Sequence, residues 1–289
     1  MRYELEHHYI WTNGVTLHVV QCGPKEGPLV ILLHGFPDFW YGWRHQIEPL
    51  AAAGYRVWVP DQRGYNLSDK PSRIREYTLP TLAHDIVGLI DAAGREQASL
   101  IGHDWGGIVT WYLATYHETR ILNASVLNVP HPAVLPSAFL RIPDQVVRSW
   151  YMFFFQLPWL PEQFMLNNLG LLTSTSHRGA FRQADLQRYR AAWMRPNAMR
   201  GMINWYRAFR YTLGNKDKEP RVTTPVQLIW GKQDVTLNAK LAELSFKLCE
   251  NGELHYFPDA THWVQLEKPT EVNELLIKFL QAKERAKAY

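Results

Sequence analysis

Short apolar runs alternate with amphipathic stretches along most of the chain, and this alternation restricts the fold more than any other feature of the sequence. The apolar runs lie at residues 29–33, 55–59, 98–101 and 124–127 and end at turn residues. The amphipathic stretches lie at residues 43–53, 79–93 and 106–117. Strands that alternate with helices in this way are typical of a parallel sheet with crossover helices on its faces. The sequence therefore predicts an α/β protein.

An N-terminal hairpin precedes this pattern. Residues 4–11 and 15–21 are β-type runs, and Asn13-Gly14 lies between them. Asn-Gly between two such runs is a strong signal for a two-residue hairpin turn. The central sheet is therefore expected to be mostly parallel and to begin with an antiparallel pair.

The alternation stops in a long middle segment. Residues 133–218 contain no convincing β run and are rich in aromatic residues, Arg and Leu, which predicts helices. The β/α pattern then resumes with strands at 226–230 and 253–257 and helices at 238–248 and 270–285. The simplest architecture is a core of residues 1–132 and 219–289 with a helical cap, residues 133–218, inserted between core strands. Such a cap would cover a site at the carboxyl ends of the strands, where open α/β sheets bind ligands.

Composition narrows the possible functions. The chain has 289 residues, 46% of them hydrophobic, which is enough for a large core and a lid. Its formal net charge is +4, from 31 basic and 27 acidic side chains. The basic residues are scattered apart from a small C-terminal cluster at Lys283, Arg285 and Lys287. Nucleic-acid binding needs a basic stripe or dense patch, so nucleic acid is not expected as a partner.

The cysteines and the hydropathy of the chain predict its cellular compartment. Cys22 and Cys249 have no metal-binding spacing, so we expect two free thiols, no metal and no cofactor. Residues 1–8 have no apolar segment typical of a secretory signal. The longest aromatic-rich apolar run, residues 150–160, is too short to cross a bilayer. The sequence therefore predicts a cytoplasmic protein without a membrane span.

The most specific motif is Gly102-His103-Asp104-Trp105-Gly106-Gly107, which follows the apolar run at 98–101 and opens a helix. It has the layout of a nucleophile elbow, in which small residues stand two positions before and after the nucleophile. The turn is too tight for side chains at those positions, which explains Gly102 and Gly106. The central residue is Asp104 instead of the usual serine. The alternative interpretation is an acidic residue that only caps the helix.

A carboxylate nucleophile changes the reaction that the elbow can perform. The carboxylate of Asp104 attacks without a base to deprotonate it, and the positive end of the following helix dipole favours its ionised form. It suits displacement at an sp³ carbon, as in an epoxide or an alkyl halide. Its attack on an ordinary ester would give only an anhydride. The motif therefore indicates alkyl transfer to Asp104.

Backbone donors for an oxyanion are predicted at two places. His34-Gly35-Phe36-Pro37 directly follows the apolar run at 29–33. In this type of fold one oxyanion-hole amide comes from that loop and the other from the residue after the nucleophile. The candidates are therefore the N–H groups of Phe36 and Trp105. A structural role in the turn is expected for His34.

The remaining catalytic candidates come late in the chain, each just after a predicted strand. The order is nucleophile, acid, histidine, with Asp234 as the acid and His262 as the base. His262 would activate water, and Asp234 would fix its tautomer and stabilise the imidazolium. The other acid position in such folds holds Asn128, which cannot carry the charge. Asp259 is interpreted as a turn residue.

These motifs resemble the soluble epoxide hydrolase family of the α/β-hydrolase superfamily, from about the first strand to the C-terminal helix. The matching segments are 34–37, 102–107, 151–156, 204–207 and 268–273. The resemblance implies an α/β-hydrolase fold with an inserted cap. It also implies an enzyme of detoxification that converts a small apolar epoxide and water to a vicinal diol, through an ester on Asp104 that His262 and Asp234 help to hydrolyse. A monomer or a homodimer is expected.

The resemblance also assigns two cap tyrosines. Tyr151 and Tyr206 are expected to hydrogen-bond the epoxide oxygen and to protonate the leaving alkoxide; simple aromatic packing is the alternative. A lid lined by Trp150, Phe153 and Trp159 suggests an apolar substrate.

Two positions depart from the family pattern. Met152 stands where the mammalian enzyme has glutamine, so the resemblance does not predict the substrate contacts at this position. Asn66 stands where relatives often carry glycine, and asparagine tolerates the left-handed conformation that the turn needs.

Three other functions remain as alternatives. Haloalkane dehalogenases share the elbow sequence. Their oxyanion motif, however, is His-Gly-Asn-Pro, with asparagine at the position of Phe36. A fluoroacetate dehalogenase would have arginine at the positions of Trp105 and Ile108. A non-catalytic small-molecule binder on the same fold is the third alternative, and an intact nucleophile, acid and base argue against it.

Overall fold

An eight-stranded sheet forms the centre of this computed structural model, which describes residues 3–211 and 220–287, with side chains described up to residue 282. The strands are β1 (Glu6–Thr12), β2 (Val15–Cys22), β3 (Leu29–Leu33), β4 (Arg56–Pro60), β5 (Ala98–His103), β6 (Ile121–Leu127), β7 (Val226–Gly231) and β8 (Gly252–Phe257). Their spatial order is β1-β2-β4-β3-β5-β6-β7-β8. The β1–β2 and β2–β4 pairs are antiparallel, and every other pair is parallel. The predicted mostly parallel sheet is confirmed.

Helices cover both faces of the sheet, because alternate residues of the buried strands point to opposite sides. The core helices are α1 (Ile47–Ala52), α2 (Leu79–Ala92), α3 (Trp105–Tyr116), α11 (Lys240–Phe246), α12 (Val264–Glu267) and α13 (Pro269–Lys287). In β3, Ile31 and Leu33 are buried in the core that includes α2 and α3. Val30 and Leu32 are buried in a second core that includes α1 and α13.

The segment between β6 and β7 consists of short helices and the loops that join them in residues 133–211. Its helices are α4 (Leu135–Arg141), α5 (Pro143–Arg148), α6 (Trp150–Phe154), α7 (Leu160–Asn167), α8 (Gly170–Ser174), α9 (Gln183–Trp193) and α10 (Ala198–Phe209). The sequence predicted helices here, and the predicted end of the segment at residue 218 lies outside the described residues. Side chains of the segment join the same hydrophobic core as α2 and α3, so the insertion packs against the rest of the chain through this core.

Some predicted boundaries were wrong. The expected single helix at 43–53 is a 3-10 turn, Trp40–Trp43, followed by α1. Residues 194–197 separate α9 from α10, because Pro196 cannot continue a helix and Asn197 adopts φ 61° at the start of α10.

Three further predictions concern the cysteines, the C-terminal basic cluster and a membrane span. Cys22 and Cys249 are free thiols, as expected. The side chains of Lys283, Arg285 and Lys287 lie outside the described ones. Among the described residues, no helix combines the length and the apolar character needed to cross a bilayer.

Candidate active site

The backbone reverses sharply at Asp104, between β5 and α3. Its φ of 50° and ψ of −123° lie in a region that non-glycine residues rarely occupy. A Cβ on Gly102 would collide with the Gly106 carbonyl, and one on Gly106 would collide with the Leu33 carbonyl. The two glycines are thus required by the turn itself. The Asp104 side chain makes no capping hydrogen bond to α3, which removes the interpretation of Asp104 as a simple helix cap.

The Asp104 carboxylate is held from two sides. The Phe36 amide donates to Oδ1 at 2.7 Å, and Nε2 of His262 lies 3.6 Å from Oδ2. Burial alone would raise the pKa of Asp104. The hydrogen bonding and charge of His262, with the Phe36 amide, outweigh burial and hold that pKa below its usual value. The group is therefore an anion at neutral pH, with one oxygen already bonded to a predicted oxyanion donor.

His262 lies between two carboxylates. Its Nδ1 donates to Oδ2 of Asp234 at 2.7 Å, while Nε2 faces Asp104. Burial lowers the pKa of His262, but the charge of Asp234 and the interactions with Asp104 raise it to about 10. The imidazole is thus a cation in the resting site. The structure brings together the nucleophile, acid and histidine that the sequence predicted.

Asp234 is buried and carries further hydrogen bonds. Its Oδ1 accepts from the Thr236 amide at 2.8 Å, the Thr236 hydroxyl at 2.7 Å and the Leu237 amide at 3.0 Å. Its Oδ2 accepts from Nδ2 of Asn128 at 2.9 Å, beside His262. Burial raises the pKa of Asp234, and the charge of His262 with these donors lowers it to about 2. Asp234 is therefore fixed both in position and in charge.

Asn128 and Thr236 were missed as supporting residues. The sequence analysis considered Asn128 only as an acid position without a charge. Its side chain instead bridges two neighbouring strand ends, because Oδ1 accepts from the Gly231 amide at 2.9 Å and Nδ2 donates to Asp234. A useful signal was the position of Asn128 directly after β6, since an amide there lies beside the acid that follows β7.

Two histidines near the site have structural contacts. His103 Nε2 donates to the His262 carbonyl at 2.8 Å, and burial lowers the pKa of His103 to about 3. His34 Nε2 accepts from the Gln62 amide at 3.0 Å, and burial lowers its pKa to about 4. Both are neutral at pH 7 and tie loops together, which for His34 agrees with the structural role that the sequence predicted.

A cavity of about 470 Å³ opens in front of Asp104 and His262. Its wall is mainly aromatic and aliphatic, and it includes Phe36, Trp150, Tyr151, Phe155, Tyr206 and Trp263. Trp150 lines the cavity as expected. Phe153 and Trp159 do not: their side chains are 66% and 69% exposed, on the outside of the insertion. The expectation for these two residues was wrong.

Tyr151 on α6 and Tyr206 on α10 lie side by side in the cavity wall. Their ring centroids are 5.9 Å apart with the ring planes almost perpendicular, and Tyr206 also packs edge-on against Phe36 at 5.1 Å. Burial first, and then the negative charge of Asp104, raise the pKa of both phenols. Each therefore keeps its proton at neutral pH and can donate a hydrogen bond toward the cavity.

The two departures from the family pattern have different outcomes. Asn66 adopts φ 37°, the left-handed region that was expected, and its side chain donates to Oδ2 of Asp61 at 2.8 Å. Met152 is partly buried against the hydrophobic core, in a small pocket that Asp104 and Tyr151 also line. Neither position supplies a polar group to the wall of the 470 Å³ cavity.

Comparisons with known proteins agree with this arrangement. The family model described as alpha/beta hydrolase fold matches residues 28–269. An AB hydrolase superfamily protein of Bacillus subtilis, YfhM, is 45% identical over 94% of this chain and 97% of its own length. Human epoxide hydrolase 4 is 37% identical over 95% of this chain and 78% of its own length.

Solved structures of epoxide hydrolases also superpose on this chain. Epoxide hydrolase A from Mycobacterium thermoresistibile superposes with a TM-score of 0.83 at 28% identity, covering 96% of this chain and 98% of that one. A mutant epoxide hydrolase of Vigna radiata superposes with a TM-score of 0.86 at 29% identity, covering 98% of this chain and 100% of that one.

Proposed function

The chain belongs to the α/β-hydrolase family and, within it, to the epoxide hydrolases, and from this premise we propose that it converts epoxides to vicinal diols through a covalent ester on Asp104. One observation carries the proposal: an ionised carboxylate at the elbow shares an apolar cavity with two protonated phenols, Tyr151 and Tyr206. A carboxylate can displace at the epoxide carbon, and a phenol can donate to the epoxide oxygen.

The first step forms the ester. Oδ2 of Asp104, which is not bonded to the Phe36 amide, attacks an epoxide carbon, and the bond between that carbon and the epoxide oxygen breaks. The electron pair goes to the oxygen, which accepts a proton from Tyr151 or Tyr206 and becomes the first hydroxyl. The phenolate left behind recovers a proton when the imidazolium of His262 releases its own, and His262 is then the neutral base of the next step. The low-dielectric aromatic wall strengthens these hydrogen bonds as charge develops.

The second step hydrolyses the ester. Neutral His262 takes a proton from water, and the hydroxide attacks the ester carbonyl carbon. The amides of Phe36 and Trp105 are the donors proposed for the resulting oxyanion. The intermediate then collapses, the bond between the carboxyl carbon of Asp104 and the substrate oxygen breaks, and the departing alkoxide takes the proton of the hydroxyl that water added to that carbon. The product is the diol, and Asp104 returns as a carboxylate beside protonated His262. Asp104 is regenerated with one oxygen from water.

Residues 133–218 are proposed to form the cap domain of this enzyme. Helices α6 and α10 within that segment carry the two tyrosines, whereas Asp104, Asp234 and His262 follow core strands. The cap would thus supply the proton donors and the core would supply the nucleophile and the base.

The tyrosine assignment predicts a graded loss of activity. Tyr151→Phe and Tyr206→Phe should each slow alkylation of Asp104 about tenfold, because the other phenol still donates, and the double variant should slow it by at least about 10³-fold. Without a donor, the developing alkoxide would be unpaired in a water-poor cavity. The measurement is rapid-mixing kinetics of ester formation with an epoxide.

Tyr112→Phe is the matched control, since Tyr112 is a half-buried tyrosine on α3 outside the cavity. Circular dichroism should report the same fold for all variants. Parental alkylation in the double variant would mean that Tyr151 and Tyr206 serve only as aromatic packing.

The acid assignment predicts a large loss in turnover. In Asp234→Asn, the neutral amide no longer stabilises a cationic His262 and does not fix the same tautomer, so kcat should fall about 10³–10⁴-fold. Asp259→Asn is the control. Asp259 lies three residues before His262, but its carboxylate is 64% exposed and pairs with Lys268. Equal losses in the two variants would contradict the assignment of Asp234.

A substrate panel tests the proposed activity as a whole. Aryl and alkyl epoxides should be hydrolysed, and haloalkanes of matched size should not, because the site supplies phenols suited to a basic alkoxide. Faster turnover of haloalkanes would establish a dehalogenase. Loss of both activities in a folded protein would establish a non-catalytic binder.

A further inference from the structure

A second cavity, of about 490 Å³, lies on the outer side of the insertion. It is bounded by the segment that joins α6 to α7, by α10, and by Ile74 of the core. None of its lining residues lines the 470 Å³ cavity that contains Asp104. The chemistry proposed for Asp104 therefore does not account for it.

The cavity has an excess of positive charge. Arg207 is fully engaged, because it donates to both carboxylate oxygens of Glu162, at 2.7 Å and 3.2 Å, and to the Phe155 carbonyl at 3.0 Å. Arg200 and Arg210 also line the cavity, and both are exposed. Neither forms an ion pair with an acidic side chain in the described part of the chain. The Arg210 guanidinium donates to the Tyr211 hydroxyl at 3.0 Å and lies over the Tyr211 ring, so both groups keep their positive charge without an acidic partner among the described residues.

The rim of the cavity presents an indole. Trp159 adopts φ 48°, a strained conformation for a bulky residue, in a turn where the Leu160 amide donates to the Pro158 carbonyl. This turn leaves the Trp159 side chain 69% exposed beside the cavity. Strain of this kind persists at positions that bind ligands more often than elsewhere.

The inner wall contains an unsatisfied donor. Asn204 is 1% exposed, and its Nδ2 has no hydrogen-bond partner among the described residues. Its carbonyl oxygen accepts from Arg207 at 3.4 Å. A buried amide without a partner costs free energy. An unsatisfied donor in the cavity wall adds to the preference of this region for a ligand with acceptor oxygens.

We propose that this cavity binds a small amphiphilic anion. The apolar body of the ligand would pack against Trp159, Pro158 and Ile74, and its carboxylate or phosphate would pair with Arg200 or Arg210. Guanidinium groups bind both anions through two parallel hydrogen bonds, and an exposed indole offers a flat apolar surface. Because these arginines lie ten residues apart on one helix, about 15 Å, a small ligand engages one of them.

Isothermal titration calorimetry with 1-naphthoate, 1-naphthyl phosphate and the neutral 1-naphthamide tests this site in the full-length protein. At least one of the two anions should bind, and at least about tenfold more tightly than the amide. The anion that binds more tightly identifies the headgroup. Inorganic phosphate alone should bind weakly, since it lacks the apolar body.

Variants test which residues contact the bound anion. Arg200→Gln/Arg210→Gln should weaken binding of the preferred anion at least about tenfold, and the two single variants identify the guanidinium in contact. Trp159→Ala should weaken binding of the same ligand through loss of the apolar contact. Arg141→Gln, which removes an exposed arginine of α4 outside the cavity, should bind as the parent does.

Three results would overturn the site: no binding of either anion, equal binding of the neutral amide, or unchanged binding in the double arginine variant. Unchanged binding together with competitive inhibition of epoxide hydrolysis would place the ligand at Asp104 instead. The binding measurement does not depend on the proposed hydrolase activity, so the two proposals can fail separately.

Discussion

A single turnover in heavy-oxygen water, with enzyme in excess over epoxide, is expected to give diol that contains almost no heavy oxygen. Attack by Asp104 places one of its own carboxylate oxygens on the substrate carbon, and hydrolysis breaks the bond at the carboxyl carbon. The label from water therefore enters the enzyme, and it reaches product only in later turnovers. Mass spectrometry of the diol and of the peptide that contains Asp104 measures both outcomes.

Asp104→Ala is the control for this experiment. It should lose at least about 10⁴-fold in turnover, because no other side chain in the cavity is positioned at the elbow to form the ester. Heavy oxygen in most of the diol from the first parental turnover would mean that water attacks the epoxide directly. The covalent mechanism would then be wrong, even if epoxide hydrolysis itself were retained.

The His262→Gln variant is expected to stop halfway and to accumulate a stable adduct on Asp104. Ester formation uses Asp104 and the tyrosines, whereas ester hydrolysis needs the base. Turnover should therefore fall about 10³–10⁴-fold while alkylation still occurs. Intact-mass spectrometry should find an increase equal to the mass of the epoxide, in one copy per chain.

Asp104→Ala/His262→Gln provides the matched control, and it should gain no mass. His177→Gln, a change at an exposed histidine, should turn over as the parent does. If His262→Gln binds substrate without gaining mass, His262 is needed before the ester forms, and its assignment to hydrolysis is wrong.

The positions of the proposed catalytic residues could be predicted because local sterics and strand order determine them. Gly102 and Gly106 flank Asp104 at the spacing that the turn requires, and this requirement is visible in six consecutive letters. Asp234 and His262 each follow a strand of a parallel sheet, whose carboxyl ends meet at one edge. Their convergence therefore follows from the order of the elements along the chain.

The hydrogen bond from Asn128 to Asp234 was harder to predict. The contact with Asn128 depends on β6 and β7 being neighbours, with Leu127 opposite Ile229, and on the left-handed backbone at Asn128, where φ is 48°. Neither the strand order nor that conformation can be derived from the residues around Asn128. The long-range arrangement of the sheet decides the contact.

The direction of the aromatic side chains in the insertion was also not predictable. Trp150 and Phe153 lie three residues apart on α6, a spacing that usually places side chains on one face. Of these two, only Trp150 lines the cavity in front of Asp104, together with Phe154 four residues further on, whereas Phe153 is 66% exposed. The cavity beside Trp159 likewise depends on how two helices of the insertion pack together, so no local sequence pattern predicts it.

The position of His262 between two anions has a consequence for the order of events. In the proposed mechanism, esterification removes the negative charge of Asp104, one of the two carboxylates that raise the pKa of His262 to about 10. The pKa then falls, and the imidazolium releases its proton to become a base. Water is thus activated only when an ester is present to receive it, so the intermediate itself switches on the step that consumes it.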